Sequence, residues 1–187
     1  MFEELLARVA RALDGAGIPY MVIGGQAVLH YGEPRLTKDI DMALGADVDA
    51  LPTVLACIRG IGLSVLVDDI QAFARENGVL PCQDAASGLR VDLIFSSIPY
   101  ERQAIARAIK KDIGGTAISI ATLEDTVIHK LVANRPRDIE DVTSMLLKNP
   151  GIDRRYVRGW LRQFDVTLED GRLKTFERLL KRTQARR

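Results

Sequence analysis

The sequence predicts a mixed α/β (α+β) fold, a small mixed sheet flanked by helices, with a helical bundle at the C-terminal end. Three observations carry this expectation. Short apolar runs bounded by glycines and turn residues alternate with amphipathic stretches as far as residue 120. From Thr122 onward the periodic segments repeat at helical spacing. The length, 187 residues, suits one domain or one domain with a helical extension. The expected division is 1–121 for the sheet domain and 122–187 for the helical region.

In chain order, Phe2 to Leu13 places Leu5, Leu6, Val9, Ala10 and Leu13 at helical spacing, and Gly15 and Gly17 stop it. Met21 to Ile23 reads as a buried strand, and Gln26 to Tyr31 as a short helix entered through Gly24-Gly25. A turn at Gly32 to Pro34 leads to a second strand, Lys38 to Leu44. Asp47 and Asp49 open a helix through Ile61, with Leu51, Val54, Leu55 and Ile58 on one face. Strands are expected at Leu63–Val67, Val79–Cys82, Leu89–Phe95 and Thr116–Ile120, and helices at Asp69–Asn77 and Tyr100–Ala108. Thr122 caps a helix to Asn134, with Asp125 at the third helical position. Pro136 opens the next helix, to Lys148. Asn149-Pro-Gly151 breaks the chain, and Asp153–Phe164 and Thr167–Arg182 are the last two amphipathic segments.

Composition narrows the function classes. Hydrophobic residues make up 47% and charged residues 27%, as in a soluble globular protein, and the net charge is only +1. No global attraction to nucleic acid or to an anionic membrane follows. The residues after Arg172 are strongly basic, with Glu177 the only acid there; this reads as a solvated helix face, or as a guide for an RNA acceptor or an acidic partner. The acidic N-terminus lacks the basic start of a signal peptide, and no apolar run approaches a membrane span, so a cytoplasmic protein is expected. Cys57 and Cys82 lack metal-ligand spacing and read as reduced thiols. His30 and His129 read as structural or surface residues, and Trp160, Phe164 and Phe176 as core.

The stretch from Tyr20 to Leu44 carries the chemistry. Glycines at 24 and 25 let the backbone approach a ligand closely, and free N–H groups at a helix start favour phosphate. Asp39 and Asp41 stand at i and i+2, which on a strand puts both carboxylates on one face, roughly 6.5 to 7 Å apart. Like charges so placed call for a cation, and a divalent metal is the natural guest. Asp92 lies in an otherwise apolar strand, Val91-Asp-Leu-Ile. If that strand pairs beside the Asp39 strand, three carboxylates gather, the donor set of two-metal phosphoryl transfer. The other reading is an edge-strand carboxylate paired with Arg90 or Arg35; Asp84, in a loop-like context, is the competitor for the third acid. Arg35, with Thr37 and Lys38, precedes the acid strand, and an arginine fork suits phosphate. Downstream, Asp138 and Asp141 share a helix face near its start. Lys130 can reach phosphates as a point charge, or form an ion pair with Asp138, as Arg135 also can.

A hydrophobic strand, Gly-Gly, a spacer of about a dozen residues and Asp-Ile-Asp resemble the signature of the DNA polymerase beta-like nucleotidyltransferase superfamily. The fuller wording, Gly-Gly-x-Ala, Tyr-Gly, Arg-x-Thr and Asp-Ile-Asp, is most similar to the AbiEii-type small bacterial nucleotidyltransferases. Lys130, Arg135, Asp138 and Asp141 occupy positions that match the downstream motif of that family, so the resemblance covers residues about 18 to 148. It implies a nucleotidyltransferase fold and a metal-dependent, ATP-binding or other NTP-binding transferase using Mg2+ (or Mn2+), which moves NMP from an NTP to an acceptor. The resemblance assigns metal to Asp39, Asp41 and Asp92, with Asp92 also deprotonating the acceptor. It assigns nucleotide to Gly24, Gly25, Arg35, Lys130, Asp138 and Asp141. Many relatives carry Ser where this chain has Gly25, which leaves the phosphate to backbone N–H groups, with Gln26 as the accompanying side chain. Acceptors implied are tRNA, a protein hydroxyl or a small molecule, with an antitoxin as a further partner, since relatives include toxins of toxin–antitoxin pairs. The alternative is a non-catalytic nucleotide-binding or protein-interaction member of the same fold.

Overall fold

The computed structural model describes residues 2–34, 37, 39–96, 98–168 and 171–185. By internal contacts the chain forms two compact units, Met1–Gly25 with Thr37–Ala121, and Gln26–Leu36 with Thr122–Arg187.

The first unit is built on a mixed seven-stranded sheet. Its strands are β1 (Tyr20–Val22), β2 (Asp39–Leu44), β3 (Leu63–Val65), β4 (Val79–Asp84), β5 (Arg90–Phe95), β6 (Ile109–Ile113) and β7 (Thr116–Ile120), in the order β3-β4-β5-β2-β1-β7-β6. The β2–β5 and β1–β7 pairs are parallel and the others antiparallel. Parallel neighbours need crossover connections: α3 (Leu51–Arg59) and α4 (Ile70–Asn77) lie between β2 and β5, and α5 (Pro99–Arg107) lies between β5 and β6 on the way from β1 to β7, while α1 (Phe2–Gly15) precedes β1. Asp69 caps α4 by accepting from the Ala72 N–H at 3.0 Å, and Gly78 ends it in the left-handed conformation. The apolar stripe of α1 is fully packed: Leu5, Leu6, Val9, Ala10 and Leu13 are all buried. Strands β2 and β5 alternate in their first halves, with Ile40, Met42, Val91 and Leu93 buried and Asp39, Asp41, Arg90 and Asp92 on the other face.

Three sequence expectations change here. Ile109–Ile113, outside the expected strands, is β6, paired antiparallel to β7 around Gly114-Gly115, both at positive φ. Glycines in tandem before a strand are a hairpin signal, but Lys110, Lys111 and Asp112 hid the strand because this sheet edge is charged and exposed on both faces. The helix expected from Asp47 begins as a short 3-10 turn, Val48–Ala50, with Asp47 accepting from the Asp49 N–H. Asp84, read as a loop residue, ends β4 and is buried; it pairs with Arg8 and accepts from the Ser87 N–H and hydroxyl at 2.9 and 2.5 Å. The Ser87 hydroxyl bond is the main cause that holds its carboxyl below the usual range.

The second unit contains most of α2 (Gly24–Tyr31) with α6 (Leu123–Ala133), α7 (Pro136–Lys148), α8 (Arg154–Leu168) and α9 (Arg172–Gln184). Thr122 caps α6 by accepting from the Asp125 N–H at 3.2 Å, and Asn134 ends it at φ 52. Asp125 is buried and accepts from the Tyr156 hydroxyl at 2.8 Å. The break between the last two helices falls later than expected, so Thr167 belongs to α8. Asp165 reaches forward to accept from the Arg172 and Leu173 N–H groups at 2.6 and 3.0 Å, and Gly171 takes the left-handed turn. The basic stretch after Arg172 is divided: Phe176, Leu179 and Leu180 are core, and Arg172 itself is buried. Residues 31–33 are tied in by their backbone. The Gly32 carbonyl accepts from Lys148 Nζ, the Tyr31 carbonyl from Asn149 Nδ2, and the Glu33 N–H donates to Ser144 Oγ. Among the described residues no helix is long and apolar enough to cross a membrane.

Candidate functional site

The register of the central strands decides which side chains meet. Strands β2 and β5 run parallel with Asp39 beside Arg90 and Asp41 beside Asp92. In-register neighbours on adjacent strands point the same way, so three acids and one arginine share one face of the sheet. Strand β5 lies between β4 and β2 and is therefore interior, so Asp92 is not an edge-strand residue. Its neighbour on the other side is buried Pro81 of β4. A carboxylate between an apolar ring and another carboxylate requires a positive partner, and Arg90 supplies one: its Nε donates to Asp92 Oδ1 at 2.9 Å and Oδ2 at 3.1 Å. Both sequence readings of Asp92 thus have a counterpart, the strand beside β2 and the pairing with Arg90. The Asp92 hydrogen bond and charge, with Asp39 and Asp41 behind them, raise the guanidinium pKa above its ordinary value.

Strand β1 brings the glycines to the same place. The Ile23 N–H donates to the Asp41 carbonyl at 2.9 Å, which carries the β1–β2 pairing up to Gly24. Gly24 has φ 63, and a Cβ built on it would lie 2.0 Å from Asp41 Oδ2. The Asp41 carboxylate occupies the space a side chain at 24 would fill. Glycine is needed there for two separate reasons, backbone conformation and the acid against its Cα. The sequence reading of Gly24 anticipated the turn and missed the carboxylate, because contact between residues so far apart in sequence has no local signal.

A hard divalent ion suits this donor set, since carboxylate oxygens are its usual ligands. Among the described residues, however, no three His, Cys, Asp or Glu side chains stand close enough together to hold a metal ion, and Asp92 is engaged by Arg90. The residues fit the ion by chemistry and by face, with Arg90 as the group that must yield Asp92. Cys82, buried on the neighbouring strand, is no nucleophile: burial, with the Asp92 charge, pushes its thiol up to about 12.

Arg35 and Lys38, read as cations facing the triphosphate, lie outside the described residues. The downstream patch is placed in the second unit. Lys130 Nζ stands 2.7 Å from Asp138 Oδ1 and 2.9 Å from Asp141 Oδ2, and all three residues are buried. Asp138 Oδ2 also accepts from the Arg135 N–H at 3.2 Å at the start of α7. The ion-pair reading of Lys130 is what the geometry displays: a lysine bridging two acids one helical turn apart, joining α6 to α7. His129 is packed in the same helix, and burial pushes its imidazole down to about 4, so it is neutral.

The comparisons with known proteins agree with this architecture. A sequence model of the family described as "Nucleotidyl transferase AbiEii toxin, Type IV TA system" matches residues 5–186. A search of curated proteins found no match. Among solved structures, an antigenic nucleotidyltransferase-like protein from Paracoccidioides brasiliensis superposes with a TM-score of 0.57 at 17% identity, over 96% of this chain and 91% of that one. The antibiotic-resistance factor ANT(2'')-Ia superposes with a TM-score of 0.60 at 16% identity, over 89% and 94%. The same enzyme in complex with adenylyl-2''-tobramycin gives 0.55 at 15%, over 98% and 97%. At these identities the likeness is one of fold.

Proposed function

We propose, for a chain that belongs to the AbiEii nucleotidyl transferase toxin family, that it transfers a nucleoside monophosphate from an NTP to an acceptor, releasing pyrophosphate, in a Mg2+- or Mn2+-dependent reaction. The observation that carries this reading is the register that puts Asp39, Asp41 and Asp92 on one face beside Gly24. A binding module gains nothing from three mutually repelling carboxylates on two adjacent strands, whereas phosphoryl transfer uses them.

In this reading Asp39, Asp41 and Asp92 hold the divalent ion, which when bound lowers the pKa of the attacking hydroxyl and neutralises phosphate oxygens. Asp92 also accepts the acceptor's proton. Gly24 and Gly25 leave the backbone bare at the start of α2, where N–H groups can take phosphate oxygens without a serine hydroxyl. Arg35 and Lys130 are the further phosphate contacts; Lys130 would serve by exchanging a carboxylate of Asp138 or Asp141 for phosphate. The acceptor is an RNA, a protein or a small molecule, and an antitoxin is the proposed protein partner. The family's description as a toxin supports that partner.

Calorimetric titration with Mg2+ and each NTP tests the site. Metal-dependent nucleotide binding is expected in the wild type and its loss in Asp39→Ala and Asp41→Ala; equal binding in all three would sink the reading. Incubation with labelled NTPs and cell extract then identifies the acceptor by which species carries the label.

A further inference from the structure

Arg90 stands where the reading above needs an ion. Its place is set by register, since it is beside Asp39 and one side chain along the same face from Asp92. The guanidinium takes both oxygens of Asp92, while about half of its own side-chain surface stays exposed. Asp92, at 18% side-chain exposure, has little room for a second partner on the Arg90 side. A divalent ion at the acid cluster would claim the same oxygens and would also be repelled by the guanidinium. An exposed arginine is mobile enough to leave; such pairs are worth no more than about fivefold in an equilibrium constant.

We propose that Arg90 is a positioning residue that competes with the divalent ion for Asp92: it holds the carboxylate in the ion-free protein and so sets the affinity of the site for the ion. This rests on the reading that Asp39, Asp41 and Asp92 hold that ion. The device solves the stability problem of the cluster. Three carboxylates on adjacent strands repel one another whenever no ion is present, and a built-in cation relieves that repulsion without blocking the site permanently. Arginine suits the part better than lysine, because its weakly hydrated fork bonds a carboxylate at two points and remains charged at any physiological pH.

The test uses the full chain with Mn2+ alone as probe, in the wild type, Arg90→Gln, Arg90→Lys and Asp39→Ala. Calorimetry should show Mn2+ binding to Arg90→Gln about five- to tenfold tighter than to the wild type, once the competing partner and its charge are gone. Arg90→Lys should fall between them. Thermal unfolding should place Arg90→Gln below the wild type without ion, and saturating Mn2+ should close that gap. A purely structural role would leave the gap unchanged. Equal or weaker Mn2+ affinity in both Arg90 variants, with binding lost in Asp39→Ala, overturns the role of Arg90 and leaves the proposed ion site standing. Mn2+ binding that is absent from the wild type and both Arg90 variants overturns the two together. If Arg90→Gln does not fold, the Arg90→Lys affinity decides the matter in the same way.

Discussion

Substituting Gly24 with alanine tests whether the acid strand and the glycine turn are one device. Two costs are expected. An L-residue at φ 63 loses about 1–2 kcal/mol relative to glycine. The new Cβ, 2.0 Å from Asp41 Oδ2 and 2.8 Å from its Cγ, must drive that side chain off its rotamer, for about 0.5–1.5 kcal/mol. The stiffer unfolded chain returns about 0.4–1 kcal/mol. The net is a loss on the order of 1–2.5 kcal/mol, or a fall in Tm of roughly 2–10 °C for a chain of this size. Gly62→Ala is the internal control, because Gly62 has φ 77 and nothing within 4 Å of a Cβ. It pays the backbone cost alone. In an Asp41→Ala background, Gly24→Ala should cost about as little as Gly62→Ala, because the carboxylate in its way is gone. Thermal and urea unfolding of the four variants read the cycle. Equal losses at 24 and 62 in the wild-type background, or no coupling with Asp41, would refute the reasoning.

Two other outcomes are expected. Lys130→Ala leaves Asp138 and Asp141 buried side by side without their cation, and urea unfolding should show a loss of about 3 kcal/mol or more; the Lys130→Met/Asp138→Leu pair should lose less. His129 governs part of the acid response. Its folded pKa, about 4, lies below the ordinary 6.5, so between these values the unfolded chain binds the proton and the folded one does not. Stability therefore falls as pH drops through that window, by at most about 3 kcal/mol. Urea unfolding at pH 7 and pH 5 should show a drop in the wild type that His129→Gln largely lacks.

The sequence made the site's acids legible because their signals are local. Asp39 and Asp41 announce a shared face by spacing alone, and Asp92 stands out as a charge in an apolar run. What joins them is strand register, and register depends on partners fifty residues away, so the Arg90–Asp92 contact could be stated only as one reading of two. Strand β6 was hidden for a different reason. An edge strand protects itself with lysines, and the same lysines erase the alternation by which strands are recognised. Helix α8 runs past Phe164 because Asp165, of a residue type that favours helix starts, acts at a distance: it caps the following helix while remaining inside its own. Lys130 shows a limit of residue type, since a lysine near two acids on a helix reads the same whether it serves a ligand or a fold. Its burial is what distinguishes the resting arrangement.

The assignment of residues 26–36 to the second unit has a consequence for biosynthesis. Their contacts, the Lys148, Asn149 and Ser144 side chains on the Gly32, Tyr31 and Glu33 backbone, come from helices that begin only after Ala121. On a ribosome adding about 5–20 residues per second, α2 waits on the order of ten seconds for the chain that will hold it. Throughout that interval the sheet can assemble around a helix that has no settled place. The second unit can thus close on residues 31–33 only after Ser144 to Asn149 have left the exit tunnel.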